Sequence, residues 1–90
     1  MNYGTMEVVI NCCYGGFSLS DKAEILYRVD NETSRDHPKL IQCVREMGEE
    51  SFGPFAKLKI VTAIVNPEFD WVIEEHDGFE HIAYQPKGEN

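Results

Sequence analysis

Two consecutive glycines, Gly15 and Gly16, constrain the fold of this chain more than any other feature. They separate a segment of β-type residues, from Glu7 to Tyr14, from a segment in which apolar residues recur at helical spacing. Glycine adopts backbone conformations with positive φ, so the pair permits an abrupt turn from a strand into a helix. Ser18 or Ser20 is the predicted N-cap of that helix.

A second helix and another strand follow this junction. The second helix is predicted to begin at Pro38, because proline suits the first helical position and apolar residues then recur at i, i+1, i+4 and i+7. Asp36 or His37 would cap it. The segment 57–65 alternates in the manner of a strand, and Asn66-Pro67 ends it.

The Asp77-Gly78 dipeptide predicts a β-hairpin over residues 71–84, because it favours a two-residue turn with positive φ. That turn places Ile73 opposite Ile82, and it also places Glu75 opposite Glu80. The first pair contributes to an apolar face. The second brings two like charges together, which costs stability.

The order strand, helix, helix, strand, strand, strand predicts an α+β fold. We expect a small, largely antiparallel sheet of about four strands with two helices packed on one face. Ninety residues suffice for one domain, which we place at residues 1–84, with a loosely held polar tail at 85–90. A core of this size is modest, so we expect the protein to gain stability as a homo-oligomer.

Composition excludes several classes of function. Sixteen acidic and eight basic residues give a formal charge of −8, which disfavours binding to duplex nucleic acid. The sequence contains neither a long apolar segment nor a secretion signal, and we expect a cytoplasmic protein without membrane association. The three cysteines suit neither a disulfide framework nor a zinc site, so we predict no metal or cofactor.

The glycine junction is the candidate binding site. Its backbone N–H groups could hold a phosphate, and the rings of Tyr14 and Phe17 could stack on a base. The guanidinium of Arg35, just before the second helix, could bind phosphate through two parallel hydrogen bonds. The competing interpretation is a tight turn with a core phenylalanine and a solvated arginine. The predicted ligand-binding residues are Tyr14, Gly15, Gly16, Phe17, Ser18, Arg28, Arg35, Asp36 and Lys57.

Three segments, CCYGGFSLSDKA, RDHPKLIQCVREMGEE and AKLKIVTAIVNPEFDWVIEEHDGFEHIA, resemble in that order a family of small uncharacterised bacteriophage proteins. Members of that family usually carry Cys-Tyr-Gly-Gly-Phe-Gly-Leu-Ser, and Cys13 to Ser20 match it except that Ser18 replaces the third glycine. Many also have a longer insertion after the first helix and an acid where His37 stands. The resemblance implies a viral accessory protein and brings no catalytic residues with it.

These features lead to three hypotheses. The first is a non-enzymatic phage protein that sequesters a small phosphate-bearing nucleotide, such as a host immune signal. The alternative is an acidic inhibitor that docks on a basic host defence protein through its hairpin. The third is a hydrolase that depends on Cys13 or on a metal held by the acidic hairpin, although neither has the spacing of a known site.

Overall fold

Four antiparallel strands and two helices make up the fold, as the sequence predicts. The structure is a computed structural model that describes residues 4–87. Its elements are β1 (Gly4–Asn11), α1 (Asp21–Tyr27), α2 (Pro38–Met47), a 3-10 helix (Gly48–Ser51), β2 (Leu58–Val65), β3 (Phe69–His76) and β4 (Phe79–Pro86). The prediction of a small α+β fold is therefore confirmed.

The strands are divided between two two-stranded sheets, where a single sheet of about four strands was expected. β1 pairs with β2 from Gly4 opposite Val65 to Asn11 opposite Leu58. β3 and β4 form the second sheet. An isolated bridge between Cys12 and Phe79 links the end of β1 to the start of β4. The junction after β1 is thereby held against the turn of the hairpin.

The apolar core consists of two clusters that share β1. Val9 packs in a cluster with residues of both helices and with Leu58 of β2. Val8 and Ile10 pack in the other cluster, with Ala63 and with half-buried side chains of the hairpin. Because successive side chains of a strand point to opposite faces, the two clusters lie on opposite sides of β1.

Both helices have side-chain caps. The Ser20 hydroxyl accepts a hydrogen bond from the Ala23 N–H at 3.1 Å, and the Nδ1 atom of His37 accepts one from the Lys39 N–H at 3.1 Å. α2 packs against both β1 and β2. α1 packs mainly against α2 and the 3-10 helix.

The hairpin has the register that the Asp77-Gly78 turn predicts. Both turn residues have positive φ, at 54° and 89°, and Ile73 lies opposite Ile82. β4 continues two residues into the predicted tail, and the Lys87 N–H donates to the Glu68 carbonyl at 2.9 Å. The rest of that tail, residues 88–90, lies outside the described part of the chain.

Candidate functional site

The Gly15 turn lies directly against the segment that leads into β2. A Cβ atom at position 15 would stand 1.9 Å from the Phe55 carbonyl oxygen, so only glycine fits there without a shift. Gly16 has a φ of 83°, and its N–H donates to the Cys13 carbonyl at 3.4 Å. The two glycines therefore serve a tight turn and a close backbone contact.

Three aromatic side chains are exposed around this turn, and we call them the aromatic surface: Tyr14, Phe55 and Phe79. Tyr14 is 74% exposed and Phe55 is 82% exposed. The rings of Tyr14 and Phe79 meet edge to face, with centroids 5.0 Å apart. Gly78 packs on the Tyr14 backbone, where a Cβ atom would lie 2.2 Å from the carbonyl oxygen. The hairpin turn therefore packs directly against the backbone that carries Tyr14.

Phe55 has a backbone conformation that a bulky residue rarely adopts. Its φ is 62°, in the left-handed region, where the Cβ atom crowds the following carbonyl. The side chain recovers little of this cost through packing, because most of it faces solvent. Strained residues of this kind concentrate at functional sites.

Beneath the aromatic surface lies a polar cluster formed by Asn11, Arg35 and Glu80. Asn11 is fully buried and donates to the carbonyl oxygens of Cys13 and Gly78, both at 2.6 Å. The side-chain oxygen of Asn11 accepts a hydrogen bond from the Lys57 backbone N–H at 2.9 Å. The backbone N–H of Asn11 donates to the Glu80 carboxylate at 2.7 Å. One side chain therefore links β1, the junction, the hairpin turn and the entry to β2.

Arg35 is engaged in this cluster rather than open to a ligand. Its guanidinium forms a bidentate pair with Glu80, at 2.6 and 2.9 Å, and Glu80 is only 7% exposed. It also donates to the Val9 carbonyl at 3.3 Å and lies 3.7 Å above the centre of the Phe17 ring. Phe17 itself is half-buried against the core cluster that contains Val9 and residues of both helices. Contacts of these two side chains with a nucleotide stay predictions, and they would compete with the contacts described here.

The other predicted ligand residues are distributed around the molecule. Ser18 lies at the junction, and its hydroxyl donates to the Pro54 carbonyl at 3.4 Å. Lys57 is exposed on the segment that pairs with Cys12. Asp36 lines one cavity beside α2, and Arg28 lines another, between α1 and α2. Neither of these cavities is lined by a residue of the glycine junction.

The carboxylates at the hairpin end avoid the repulsion that their pairing predicts. Glu75 does lie opposite Glu80. However, Glu75 accepts the Gly78 N–H at 2.6 Å, while Glu80 is neutralised by Arg35. Asp77 remains exposed next to the aromatic surface. Within residues 4–87 no group of three or more His, Cys, Asp or Glu side chains is arranged to hold a metal ion.

Sequence reasoning missed two important residues. Asn11 is a polar residue at the end of an apolar run, and this interruption was a signal for a buried hydrogen-bonding role. Phe55 follows Gly53-Pro54 and carries no local signal of its exposure or strain, and the segment that holds it packs against Gly15, far away in the sequence.

Comparison with protein-family models, with curated proteins and with solved structures finds no match to this chain. In the part of the chain that the structure describes, no helix is long and apolar enough to cross a membrane.

Proposed function

We propose that this is a non-enzymatic phage accessory protein that binds and blocks a host protein through its aromatic surface and the adjoining acidic hairpin end. The viral origin rests on the resemblance of the junction to the phage family. The binding role rests on the exposure of the aromatic rings and on the strained backbone of Phe55. The partner that fits this surface has a basic contact region.

The observation that carries the proposal is the presentation of Phe55. A strained backbone holds the Phe55 ring in solvent, and the Phe55 backbone packs against Gly15, the residue that follows exposed Tyr14. Aromatic side chains are enriched at protein interfaces, and tyrosine is among the residue types that most often supply large shares of the binding energy there. Neither of the rings is needed for the core, since both are more than two-thirds exposed.

Charge supports a basic partner. The protein has a formal charge of −8, and Asp77 lies next to Gly78, which packs directly on Tyr14. At the same time, Arg35, one of the predicted cations at the junction, is already neutralised by Glu80. A cationic contact region would find complementary charge here, and arginine side chains could also stack on the exposed rings.

The test compares capture of host proteins by the wild type, Tyr14→Ala, Phe55→Ala and Ile25→Ala, followed by affinity measurement on each purified candidate. Ile25 is the matched control because it is equally exposed, at 75%, on a different element. We expect a basic protein whose affinity falls at least tenfold in the two aromatic variants, is unchanged in Ile25→Ala and weakens with salt. If every captured protein binds the aromatic variants as well as the wild type, the proposal is wrong.

The second candidate is sequestration of a small phosphate-bearing nucleotide at the same surface. The exposed rings of Tyr14 and Phe55 favour it, because aromatic side chains stack on bases. Lys57 offers the adjoining charge, and a second copy of the chain would close the open site. Native mass spectrometry after incubation with a nucleotide extract separates the two candidates. A retained, chemically unchanged nucleotide that Phe55→Ala loses would favour sequestration.

A further inference from the structure

The positive charges of this acidic protein are unevenly distributed. Of its eight basic residues, four form ion pairs: Lys22 with Glu50, Arg35 with Glu80, Arg45 with Glu7 and Lys87 with Asp70. Within residues 4–87, Arg28, Lys39, Lys57 and Lys59 have no such carboxylate partner. Two of these four, Arg28 and Lys39, line the same cavity between α1 and α2, with a volume of about 410 Å³. We call this cavity the α1–α2 cleft.

Both residues depart from a local preference, Arg28 in its backbone conformation and Lys39 in its charge. Arg28 ends α1 in the left-handed conformation, with a φ of 56°, at a position where glycine or asparagine is usual. Lys39 lies in the first turn of α2, where the helix dipole favours acidic residues, and that turn contains none. Breaches of local preference that converge on one cavity indicate a function for that cavity.

The remaining walls of the cleft are apolar or neutral. Leu26 is exposed, and Tyr27 and Gln42 complete the lining. The Tyr27 hydroxyl and the Gln42 amide both donate to Glu46, which holds these two side chains in place. This carboxylate lies beside the cleft and opposes an anion, but the lining itself contains two cations and no carboxylate, in a protein that is negative overall.

We propose that the α1–α2 cleft binds the phosphate of a small phosphorylated molecule, with Arg28 and Lys39 on the phosphate oxygens and Leu26 and Tyr27 against the organic part. Arginine matches phosphate geometry with its planar fork, and lysine adds a point charge. This site does not depend on the aromatic surface, so it stands or falls separately from the proposed function.

The test is a titration with AMP, followed by NMR or calorimetry, on the wild type, Arg28→Gly, Lys39→Gln and Lys59→Gln. Arg28→Gly removes the charge while relieving the left-handed strain, so the melting temperature should not fall. Lys59→Gln is the matched control, because it removes an exposed lysine outside the cleft. We expect affinity to fall at least threefold in each cleft variant and to stay unchanged in the control.

Further measurements test which part of AMP is recognised and where on the protein it binds. Inorganic phosphate should compete with AMP, and adenosine should bind at least tenfold more weakly than AMP, because the cations recognise the phosphate. Tyr14→Ala should leave AMP binding intact. The inference is overturned if the wild type does not bind AMP, if adenosine binds equally well, if Lys59→Gln weakens binding as much as the cleft variants, or if only Tyr14→Ala abolishes it.

Discussion

The aromatic surface and the polar cluster lie against the same glycine junction, yet they are built in opposite ways. In the cluster, Asn11 is buried, the Glu80 side chain is only 7% exposed, and both residues are hydrogen-bonded to partners within the protein. In the aromatic surface, Phe55 is exposed and its backbone is strained. The contrast separates residues that hold the junction together from residues that are available to a partner. Changes in the cluster should therefore affect folding, and changes in the aromatic surface should affect binding.

The largest effect is expected from the ion pair of the cluster. Arg35→Ala or Glu80→Ala alone should lower the free energy of unfolding by about 3 kcal/mol, because each leaves a largely buried charge without its partner. The double variant should lose clearly less than the sum of the two. Urea denaturation of all three variants measures the coupling energy between the side chains.

The control for this pair is Arg45→Ala, which removes the exposed pair with Glu7. This substitution should lower the free energy of unfolding by no more than about 1 kcal/mol, because solvent screens exposed charges. An equal loss for Arg35→Ala and Arg45→Ala would show that the polar cluster is not a special structural element.

A smaller effect of opposite sign is expected from Phe55→Gly. Glycine tolerates the φ of 62°, so relief of strain should raise the free energy of unfolding by up to about 1 kcal/mol, less the entropy that glycine loses on folding. The same variant should lose the partner that the wild type binds. Thermal unfolding and affinity are measured side by side, and a clear loss of stability would show that Phe55 is structural after all.

The smallest effect concerns the exposed hydrogen bond from Tyr27 to Glu46, which contrasts with the buried contacts of the polar cluster. The hydrogen bond to the Glu46 carboxylate, with a smaller effect from desolvation, raises the pKa of Tyr27 to about 12. Protonated Tyr27 is thus favoured in the folded state. Its contribution to stability is complete below pH 10, the ordinary pKa, and is lost as the pH rises towards 12.

An ultraviolet titration of the phenol groups measures this directly. In the wild type, the Tyr27 transition should occur near pH 12, and Glu46→Gln should return it towards the ordinary value of 10. An unchanged transition in Glu46→Gln would mean that the carboxylate does not control the titration of this tyrosine.

Local patterns were sufficient for most of the fold. The Asp77-Gly78 turn correctly predicted the hairpin register, and the Ser20 and His37 caps lie where capping preferences place them. The division into two sheets was not predicted, because strand periodicity specifies which face is apolar but not which strands pair. The candidate site was predicted only in part. The junction and Tyr14 form an exposed surface, whereas Arg35 pairs with a residue 45 positions away.

The sequence by itself determined the features that depend on neighbouring residues: the glycine turn, the helix starts, the hairpin and the acidic character of the protein. Tertiary structure alone decided which side chains are engaged in contacts, which are exposed and which share a cavity. Arg35 became part of the polar cluster because Glu80 reaches it across the folded chain. Phe55 is exposed on a segment whose backbone packs against Gly15, 40 positions earlier in the chain. Arg28 and Lys39 came to share one cleft because α1 packs on α2. Side-chain roles of this kind depend on contacts between distant segments, which local propensities do not encode.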